Sequence, residues 1–406
     1  MAPPCRVSRS LAWAAALALA GACAPPPQRP VERPPVLLLA VDGLDWEVLL
    51  PLVHAGEVPA LAGLMESGVA GELRSMVPTS SPVIWTTIAT GKGPRRHGVE
   101  GFVYLQPTAD GPQPRVYTSG HRRTKAFWNV LSDADLSVDV IGWWVTYPAE
   151  PVRGLMVSQV NTTAAFLADD EPALFKGALH DGVEAQVWPA DRQAGTLDLA
   201  REVDAGLDAL LRTEYVDPVH PLAPAEQALW SSTRWSLRAD EVYLAVARAR
   251  LEQGAPAALT AVYLGAPDVI GHRFWRHAHP EAFAHPPAPE QVANFGDLLE
   301  ASYRRVDRAL AGLLERLPAD TTVLVVSDHG MSAYDVGGRF GPDEGLVGLL
   351  SGHHLDAPPG VLIAAGPGIR APPTGRRESA SLAREDLVRL GSVLDVTPTL
   401  LALLAL

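Results

Sequence analysis

Continuous apolar runs that stop at polar groups recur along the chain, and they predict the strands of a buried sheet. The first run, Pro34–Asp42, reads PPVLLLAVD and is typical of a parallel strand that is covered on both faces. The same pattern predicts further strands, which read LSVDVIGWW from Leu136, AALTAVYLGAPD from Ala257, TTVLVVSD from Thr321 and GVLIAAGPG from Gly360.

Segments with helical periodicity or capping residues separate these runs. A serine before Pro82 is a start signal for a helix that reaches Thr90 and is capped by Gly91. Further helices are predicted at Trp46–His54, Pro59–Ser67, Phe127–Leu131, Leu197–Leu211, Pro224–Glu252, Phe295–Leu317 and Ser392–Leu404. Strands that alternate with helices indicate an α/β fold, a doubly wound and mostly parallel sheet flanked by helices.

One long segment departs from this alternation. Residues 156–255 carry polar, acidic and proline-containing stretches, with helical patterns only in part. We therefore predict that they form an inserted cap, the substrate region, within a core made of residues 36–155 and 256–406. The length of 406 residues, with 47% hydrophobic and 19% charged residues, suits one large α/β unit with such an insertion.

The N-terminal segment has the features of an export signal. Arg6 and Arg9 precede a short apolar stretch, Leu11–Ala22, and the sequence LAGAC ends at Cys23. Residues 1–23 are predicted to be a signal peptide of the lipoprotein type, with plain signal cleavage as the alternative. Residues 24–35 would then be a Pro-rich tether to the membrane, and the protein would lie in the bacterial envelope or periplasm.

Composition excludes several classes of function. The net charge of −13 argues against specific nucleic-acid binding, and an anionic substrate would need a local positive charge such as bound metal ions. Cys5 and Cys23 are the only cysteines, and both lie in the predicted leader. The mature fold therefore has no internal disulfide, cysteine nucleophile or thiolate metal site.

Metal-type ligands follow three of the predicted strands, at the edge where ligands bind in open α/β sheets. Asp and neutral His are suitable ligands for zinc, and two ions about 4 Å apart can clamp the oxygens of a phosphoryl displacement. Each group has a simpler alternative, such as a turn aspartate, a surface helix pair or a helix cap. The joint pattern favours a metal site formed by Asp42, Asp268, His272, Asp328, His329 and a histidine from SGHH, His354 or His353.

Two hydroxyls are candidate nucleophiles. Ser80 and Ser81 stand at the start of the predicted Pro82–Thr90 helix, where the helix dipole and free N–H groups favour a phosphate. A serine hydroxyl bound to a metal can attack phosphorus near neutral pH. The alternative is that either serine only caps the helix.

These residues together resemble the alkaline phosphatase superfamily, and most closely its type I phosphodiesterase/nucleotide pyrophosphatase branch. The likeness covers Val36–Gly101, Ala258–Leu401 and the intervening FWNVLSDADLSVDVIGWWVTYPAEPVRG. It implies an alkaline phosphatase-like core with two metal sets. One set comprises Asp42, Asp328 and His329, and the other Asp268, His272 and His354, with His353 as the alternative.

The resemblance also implies a nucleophile. Counting ten residues back from Gly91 gives Ser81, a metal ligand and nucleophile in this branch, whereas the spacing to Pro82 would favour Ser80. Pro82 has no N–H to donate just after Ser81. The branch's Asn is absent in either register, which puts nucleotide diesters in doubt. Sulfatases share the fold, but the Arg of their motif is missing here.

Three further residues belong to motifs without an assigned chemical role. His97, in RRHGVEGF, matches an element of the branch and is interpreted as structural. Trp143 and Trp144 line the substrate cleft or pack in the core.

The sequence thus predicts an exported hydrolase, a phosphodiesterase or phosphatase with two divalent metal ions, zinc or else manganese. Its partner would be a small phosphate-ester substrate, cleaved through a covalent phosphoserine. The alternatives are a transferase that moves a phosphoryl-bearing head group on the same site, or a non-catalytic envelope lipoprotein.

Overall fold

A computed structural model describes residues 33–77, 79–159, 179–254, 256–334, 350–355, 358–370 and 379–406. The predicted signal peptide, the lipid attachment at Cys23 and most of the Pro-rich tether lie outside these residues.

The fold is built on a nine-stranded sheet with the strand order β13-β2-β12-β9-β1-β8-β5-β6-β7. A hairpin of β3 (Val103–Gln106) and β4 (Gln113–Val116) and a short ribbon of β10 (Ser332–Ala333) and β11 (Gly352–His353) lie beside it. The sheet strands are β1 (Val36–Val41), β2 (Val69–Arg74), β5 (Val138–Trp143), β6 (Gly154–Ser158), β7 (Val187–Trp188), β8 (Leu259–Leu264), β9 (Thr322–Val326), β12 (Gly360–Ala365) and β13 (Arg389–Ser392).

Eleven α-helices are assigned in the described part of the chain, together with short 3₁₀ turns. They are α1 (Trp46–His54), α2 (Pro59–Ser67), α3 (Ser81–Thr90), α4 (Pro94–His97), α5 (Phe127–Asp133), α6 (Gln193–Glu214), α7 (Pro224–Glu252), α8 (Ala266–Ala278), α9 (Pro289–Phe295), α10 (Leu298–Leu314) and α11 (Val396–Leu403).

Helices cover both faces of the sheet, which explains the continuous apolar strands. Along β1, Leu37, Leu39 and Val41 belong to one buried cluster, and Val36 and Leu38 belong to the cluster on the opposite face. Successive side chains of a strand point to opposite faces, so a strand covered on both sides needs apolar residues at every position. The mostly parallel α/β fold predicted from the sequence is confirmed.

The strand register brings the predicted ligand segments to one edge. Strand β1 pairs in parallel with β8 and β9, so the segments after these three strands emerge together. Strand β12 runs antiparallel to β9. Its start therefore lies at that same edge, and the SGHH segment before it arrives there too.

Residues 156–255 contribute to the central sheet and to one helix layer in their described part. Strands β6 and β7 extend the sheet, and α7 packs against β8 and β5. The buried face of α7 includes Leu237, Val242 and Leu244. A role of this region as a substrate cap stays a prediction.

Two predicted helices differ from the structure. The predicted Phe295–Leu317 helix is present as α10, but its bounds differ, because α9 ends at Phe295 and α10 begins only at Leu298. At Gly296 the chain passes so close to α9 that a Cβ atom would lie 2.7 Å from the Val292 carbonyl oxygen. The helix predicted at Ser392–Leu404 starts at Val396 instead. Ser392 is the last residue of β13 and pairs there with β2.

No single helix in the described part of the chain is long and apolar enough to cross a membrane. Helices α1 and α2 meet the length and composition criteria only as a pair, which is bent by 95°.

Candidate metal centre

Six predicted ligands come together at the edge of the sheet, and we call them the Asp–His cluster. His329 is central, because its Nε2 lies 3.2 Å from Asp328 Oδ2, 3.4 Å from Asp42 Oδ1 and 4.0 Å from Asp268 Oδ1. Asp268 Oδ1 is in turn 3.4 Å from His272 Nε2. The members are Asp42, Asp268, His272, Asp328, His329 and His354.

The cluster contains two groups with the spacing that a metal ion needs. Asp42, Asp328 and His329 form one, which is the set that the family resemblance implies. In the second, His329 joins Asp268 and His354. His272 stays close by, with its ring centroid 4.8 Å from that of His354. His329 thus stands between the two groups rather than belonging to one alone.

The chemistry of these donors fits divalent cations. Four of their atoms are buried and have no hydrogen-bond partner in the described part of the chain: Asp42 Oδ1, Asp268 Oδ1, Asp328 Oδ2 and His329 Nε2. Buried polar atoms are almost always paired, so four unpaired ligand atoms in one place require another partner. Carboxylate oxygen and imidazole nitrogen are both zinc ligands.

The pKa shifts agree with this interpretation. Burial, and then the charge of Asp42, raises the pKa of Asp268 and of Asp328 well above the ordinary value. Burial lowers the pKa of His329 to about 3 and that of His354 to about 2. The imidazoles therefore stay neutral and keep a lone pair, while the crowded carboxylates favour a nearby positive charge.

Hydrogen bonds behind the cluster orient each imidazole. His272 Nδ1 lies 2.8 Å from the Gly352 carbonyl, and His329 Nδ1 lies 3.0 Å from that of Gly330. A carbonyl only accepts, so Nδ1 carries the proton in both rings and Nε2 is left free toward the cluster. Such partners fix the tautomer and the orientation of a metal-binding histidine.

Thr79 fixes the tautomer and the orientation of His354. Its hydroxyl donates a short hydrogen bond to the His354 carbonyl and lies 2.9 Å from His354 Nδ1. Because the hydroxyl proton is engaged with the carbonyl, Oγ1 accepts from the ring, and Nε2 of His354 faces Asp268 Oδ1 at 4.0 Å. The adjacent His353 points elsewhere, with its Nδ1 accepting from Leu355 N and its ring against Tyr334.

Asp42 is held by two donors on one oxygen. Tyr263 Oη donates to Asp42 Oδ2 at 2.6 Å, and Trp85 Nε1 donates to the same oxygen at 2.9 Å. Trp144 Nε1 donates to Tyr263 Oη at 2.8 Å and so extends the chain of bonds. The other oxygen of Asp42, Oδ1, therefore faces Nε2 of His329.

Close backbone approaches also shape the centre. Gly43, next to Asp42, has φ +70°, and a Cβ atom there would lie 2.8 Å from the Cα of Asp268.

Asp45 joins the segments after β1 and β9, because its Oδ2 accepts from Met331 N at 2.9 Å. Tyr303 binds the same turn, since Asp45 N donates to its hydroxyl at 2.8 Å.

Helix α8 places Asp268 in its first turn and His272 one turn later. Gly265, the residue that precedes the helix, has no side chain with which to cap it, and Asp240 of α7 supplies the cap instead. The Asp240 carboxylate accepts from Gly265 N at 2.8 Å and from Ala266 N at 2.9 Å. Asp240 therefore fixes the start of the helix that carries two members of the cluster.

The candidate nucleophiles lie between two residues that touch the cluster. Thr79 contacts His354, and Trp85 contacts Asp42. Ser81 precedes Trp85 by one helical turn and shares its face of α3. Ser81 is 4% exposed, and Ser80 Oγ is buried with no hydrogen-bond partner among the described residues.

The start of α3 offers fewer free amides than expected. Pro82 has no N–H, and the amide of Val83 already donates to the Ser80 carbonyl at 2.9 Å. Within the described residues, this leaves Ser81 N as the free amide in the first turn of the helix.

His97 and the two tryptophans lie away from the ligand atoms. His97 is fully buried, accepts at Nδ1 from Val99 N and lies 3.0 Å from Thr87 Oγ1, in keeping with a structural role. Trp143 and Trp144 belong to the buried core beneath the cluster. Trp144 still influences the site, because it binds Tyr263.

Sequence reasoning missed three supporting residues, namely Thr79, Tyr263 and Asp240. Thr79 precedes the serine pair and could have been suspected as part of a run of hydroxyls. Tyr263 occupies a strand position that is typical of core packing, and Asp240 lies within a long helix. No local pattern distinguishes either of the latter two.

The model of the family described as type I phosphodiesterase / nucleotide pyrophosphatase matches residues 36–365, and the chain belongs to this family. It is a phosphoester hydrolase, and related enzymes of the family use divalent metal ions. Comparison with curated protein sequences gives no significant match.

Solved structures share the fold at low sequence identity. A 2-O GAG sulfatase is similar with a TM-score of 0.50 and 12% identity, over 92% of this chain and 71% of its own. Human ectonucleotide pyrophosphatase / phosphodiesterase 5 has a TM-score of 0.48 and 13% identity, over 92% of this chain and 95% of its own.

Phosphonoacetate hydrolase from Sinorhizobium meliloti is also similar. Its complex with phosphonoformate has a TM-score of 0.47 and 15% identity, over 91% of this chain and 95% of its own. In its complex with phosphonoacetate, the TM-score is 0.40 and the identity 18%, over 75% of this chain and 58% of its own.

Proposed function

We propose that the chain is an exported, two-metal phosphohydrolase that cleaves phosphate mono- or diesters through a phosphoserine intermediate on Ser81. The observation that carries the proposal is the convergence of unpaired buried ligand atoms in the Asp–His cluster. Membership of the phosphodiesterase family supports the reaction class. The Asn that follows the nucleophile in the nucleotide pyrophosphatases is absent here. The proposal therefore includes both monoesters and diesters, and the experiment below distinguishes them.

Six side chains would hold two divalent ions. When bound, the ions supply Lewis acidity, which lowers the pKa of a hydroxyl and offsets the charge of a phosphate. The mixture of carboxylates and neutral imidazoles suits zinc, with manganese as the alternative. The proposed sets are Asp42, Asp328 and His329 for one ion, and Asp268, His272 and His354 for the other.

Ser81 would perform the first chemical step. Its Oγ attacks phosphorus, the new Oγ–P bond forms, the bond from phosphorus to the leaving oxygen breaks, and the hydroxyl proton passes to solvent. Water then attacks the phosphoserine, the Oγ–P bond breaks, and free Ser81 and the phosphate product are restored. Ser81 shares the face of α3 from which Trp85 donates to Asp42, which supports this role over that of Ser80.

The test is hydrolysis of bis(p-nitrophenyl) phosphate and of the corresponding monoester by zinc-loaded protein that lacks residues 1–23. Ser81→Ala and Ser80→Ala are measured in parallel as matched variants. Turnover that is lost only with Ser81→Ala is the expected result. Turnover that survives Ser81→Ala and is lost with Ser80→Ala would transfer the role to Ser80. No turnover of either ester by a protein that binds no metal would contradict the proposal.

Export and lipid attachment at Cys23 are part of the proposal. They are supported by the arginines and the apolar stretch that precede Cys23. Expression in a bacterial host with a labelled fatty acid, beside Cys23→Ala, tests the attachment. We expect labelled protein in the membrane fraction and no label in Cys23→Ala. An unsubstituted protein that is unlabelled and released would instead indicate plain signal cleavage.

A further inference from the structure

Four arginines line a cavity on the helix layer, and we call it the arginine cavity. It has a volume of about 450 Å³ and is formed between α6, α7 and α10. Its walls are Leu210, Thr213, Glu214, Arg248, Arg305, Arg308, Gly312 and Arg316. One glutamate faces four guanidinium groups there, in a protein whose net charge is −13.

Three of these arginines have acidic partners. Arg305 forms a buried two-pronged pair with Glu241 at 2.7 and 2.5 Å. Arg308 Nη2 lies 2.7 Å from Glu214 Oε2. At the rim, Arg316 pairs with Glu252 at 2.8 Å and more weakly with Glu315 at 3.8 Å. These pairs fix the guanidinium groups in place and offset most of their charge.

Arg248 has no such partner among the described residues, although it is half-buried. Burial lowers its pKa, and the positive charges of Arg305 and Arg316 lower it further, against the opposing effects of Glu241 and Glu252. A guanidinium group carries five N–H donors in a fixed fork that matches a phosphate. Arg248 is thus a partly desolvated cation without an acidic partner among the described residues, in a cavity that is open to solvent.

We propose that the arginine cavity binds a small phosphate-bearing anion through Arg248, at a site separate from the Asp–His cluster. A guanidinium group that is held next to other cations favours an acceptor with several charged oxygens. The volume lies in the range of about 300–1,000 Å³ that small-molecule sites occupy, so it exceeds the need of one phosphate group and leaves room for the rest of a small molecule.

The cavity is distant from the Asp–His cluster along the helices. Asp240 of α7 binds the start of α8 at the cluster edge, and Arg248 lies eight residues further along α7. At 1.5 Å per residue, that separation is roughly 12 Å along the helix axis. On α10, Tyr303 contacts the turn after β1, whereas Arg316 lies just beyond the far end of that helix. The anion would therefore be a second ligand, not the reacting phosphate.

Isothermal titration calorimetry with inorganic phosphate at low salt tests the proposal on the protein lacking residues 1–23. The variants are Arg248→Gln, Arg248→Lys and, as a matched control, Arg212→Gln on the exposed side of α6. Loss of a charge-assisted contact predicts that Arg248→Gln binds about tenfold or more weakly, with Arg248→Lys intermediate and Arg212→Gln unchanged. The affinity should also fall as sodium chloride is raised.

An Asp328→Asn background separates this site from the Asp–His cluster. Binding that persists in Asp328→Asn and is lost when Arg248→Gln is added supports the arginine cavity, whether or not the protein hydrolyses esters. Binding that is lost in Asp328→Asn alone, or that Arg248→Gln leaves unchanged, would overturn it. Absence of phosphate binding in the unsubstituted protein would do the same.

Discussion

Tyr263 Oη donates to Asp42 Oδ2 at 2.6 Å, from the strand next to the one that Asp42 follows. Burial, and then the negative charge of Asp42, raises the pKa of Tyr263 well above its ordinary value. The phenol therefore stays protonated and remains a donor at neutral pH. The bond turns Oδ1 of Asp42 toward His329 and gives this ligand a fixed orientation.

Tyr263→Phe is expected to weaken metal binding and catalysis while the fold persists. It removes one of the two donors to Asp42 and, with it, the hydroxyl that accepts from Trp144 Nε1. Loss of such an orienting contact typically reduces metal affinity about 10- to 100-fold. Zinc affinity by competition with a chelator, beside ester turnover, measures the effect. Tyr104→Phe, in the β3–β4 hairpin, is the control, and equal affinities in the two variants would refute the orienting role.

Asp240→Ala should destabilise the protein by about 1–3 kcal/mol and also weaken metal binding, because two amides at the start of α8 lose their acceptor. Asp240→Asn keeps one acceptor oxygen and should be milder. Thermal unfolding and zinc competition measure the two effects. Asp198→Ala, in an exposed ion pair with Arg201, should change neither. Destabilisation without any change in zinc affinity would limit Asp240 to a structural role.

Asp240 also predicts a pH dependence of stability. Burial raises its pKa to about 8, although the two backbone amides oppose the shift. Between pH 4 and 8 the folded state then retains a proton that the unfolded state releases, so this group lowers the free energy of unfolding as pH rises through that range. Chemical denaturation at several pH values should show a smaller decrease for Asp240→Asn. An identical slope in both proteins would contradict the raised pKa.

His97 should act in the opposite direction. Burial, and then the charge of Arg122, lowers its pKa to about 4. Below pH 6.5 the unfolded state binds a proton that the folded state refuses, so stability is lost as pH falls from 6.5 toward 4 and is complete above 6.5. His97→Gln should lower stability at pH 7 and flatten this acid-side loss. Urea unfolding between pH 4 and 7 makes the comparison, and an unchanged slope would assign the acid sensitivity to other groups.

The members of the Asp–His cluster could be proposed as ligands from the sequence because they lie in segments next to the ends of predicted strands. Asp42 and Asp328 stand one or two residues after β1 and β9, and parallel pairing brings such positions together. Residues that support the ligands gave no such signal. Tyr263 and Asp42 are 221 positions apart, so only the folded strand order brings them into contact.

Thr79 offers the sharpest test of how the histidines are oriented. Thr79→Val keeps the shape and the branched Cβ but removes the acceptor for His354 Nδ1. The ring would then lose its fixed tautomer, and we expect zinc affinity to fall about tenfold or more, with turnover reduced in parallel. Thr79→Ser retains the hydroxyl and should restore most of both. Saturating zinc should rescue the turnover of Thr79→Val in part, because the reacting groups are intact. If Thr79→Val and Thr79→Ser bind zinc equally well, the hydroxyl does not orient His354.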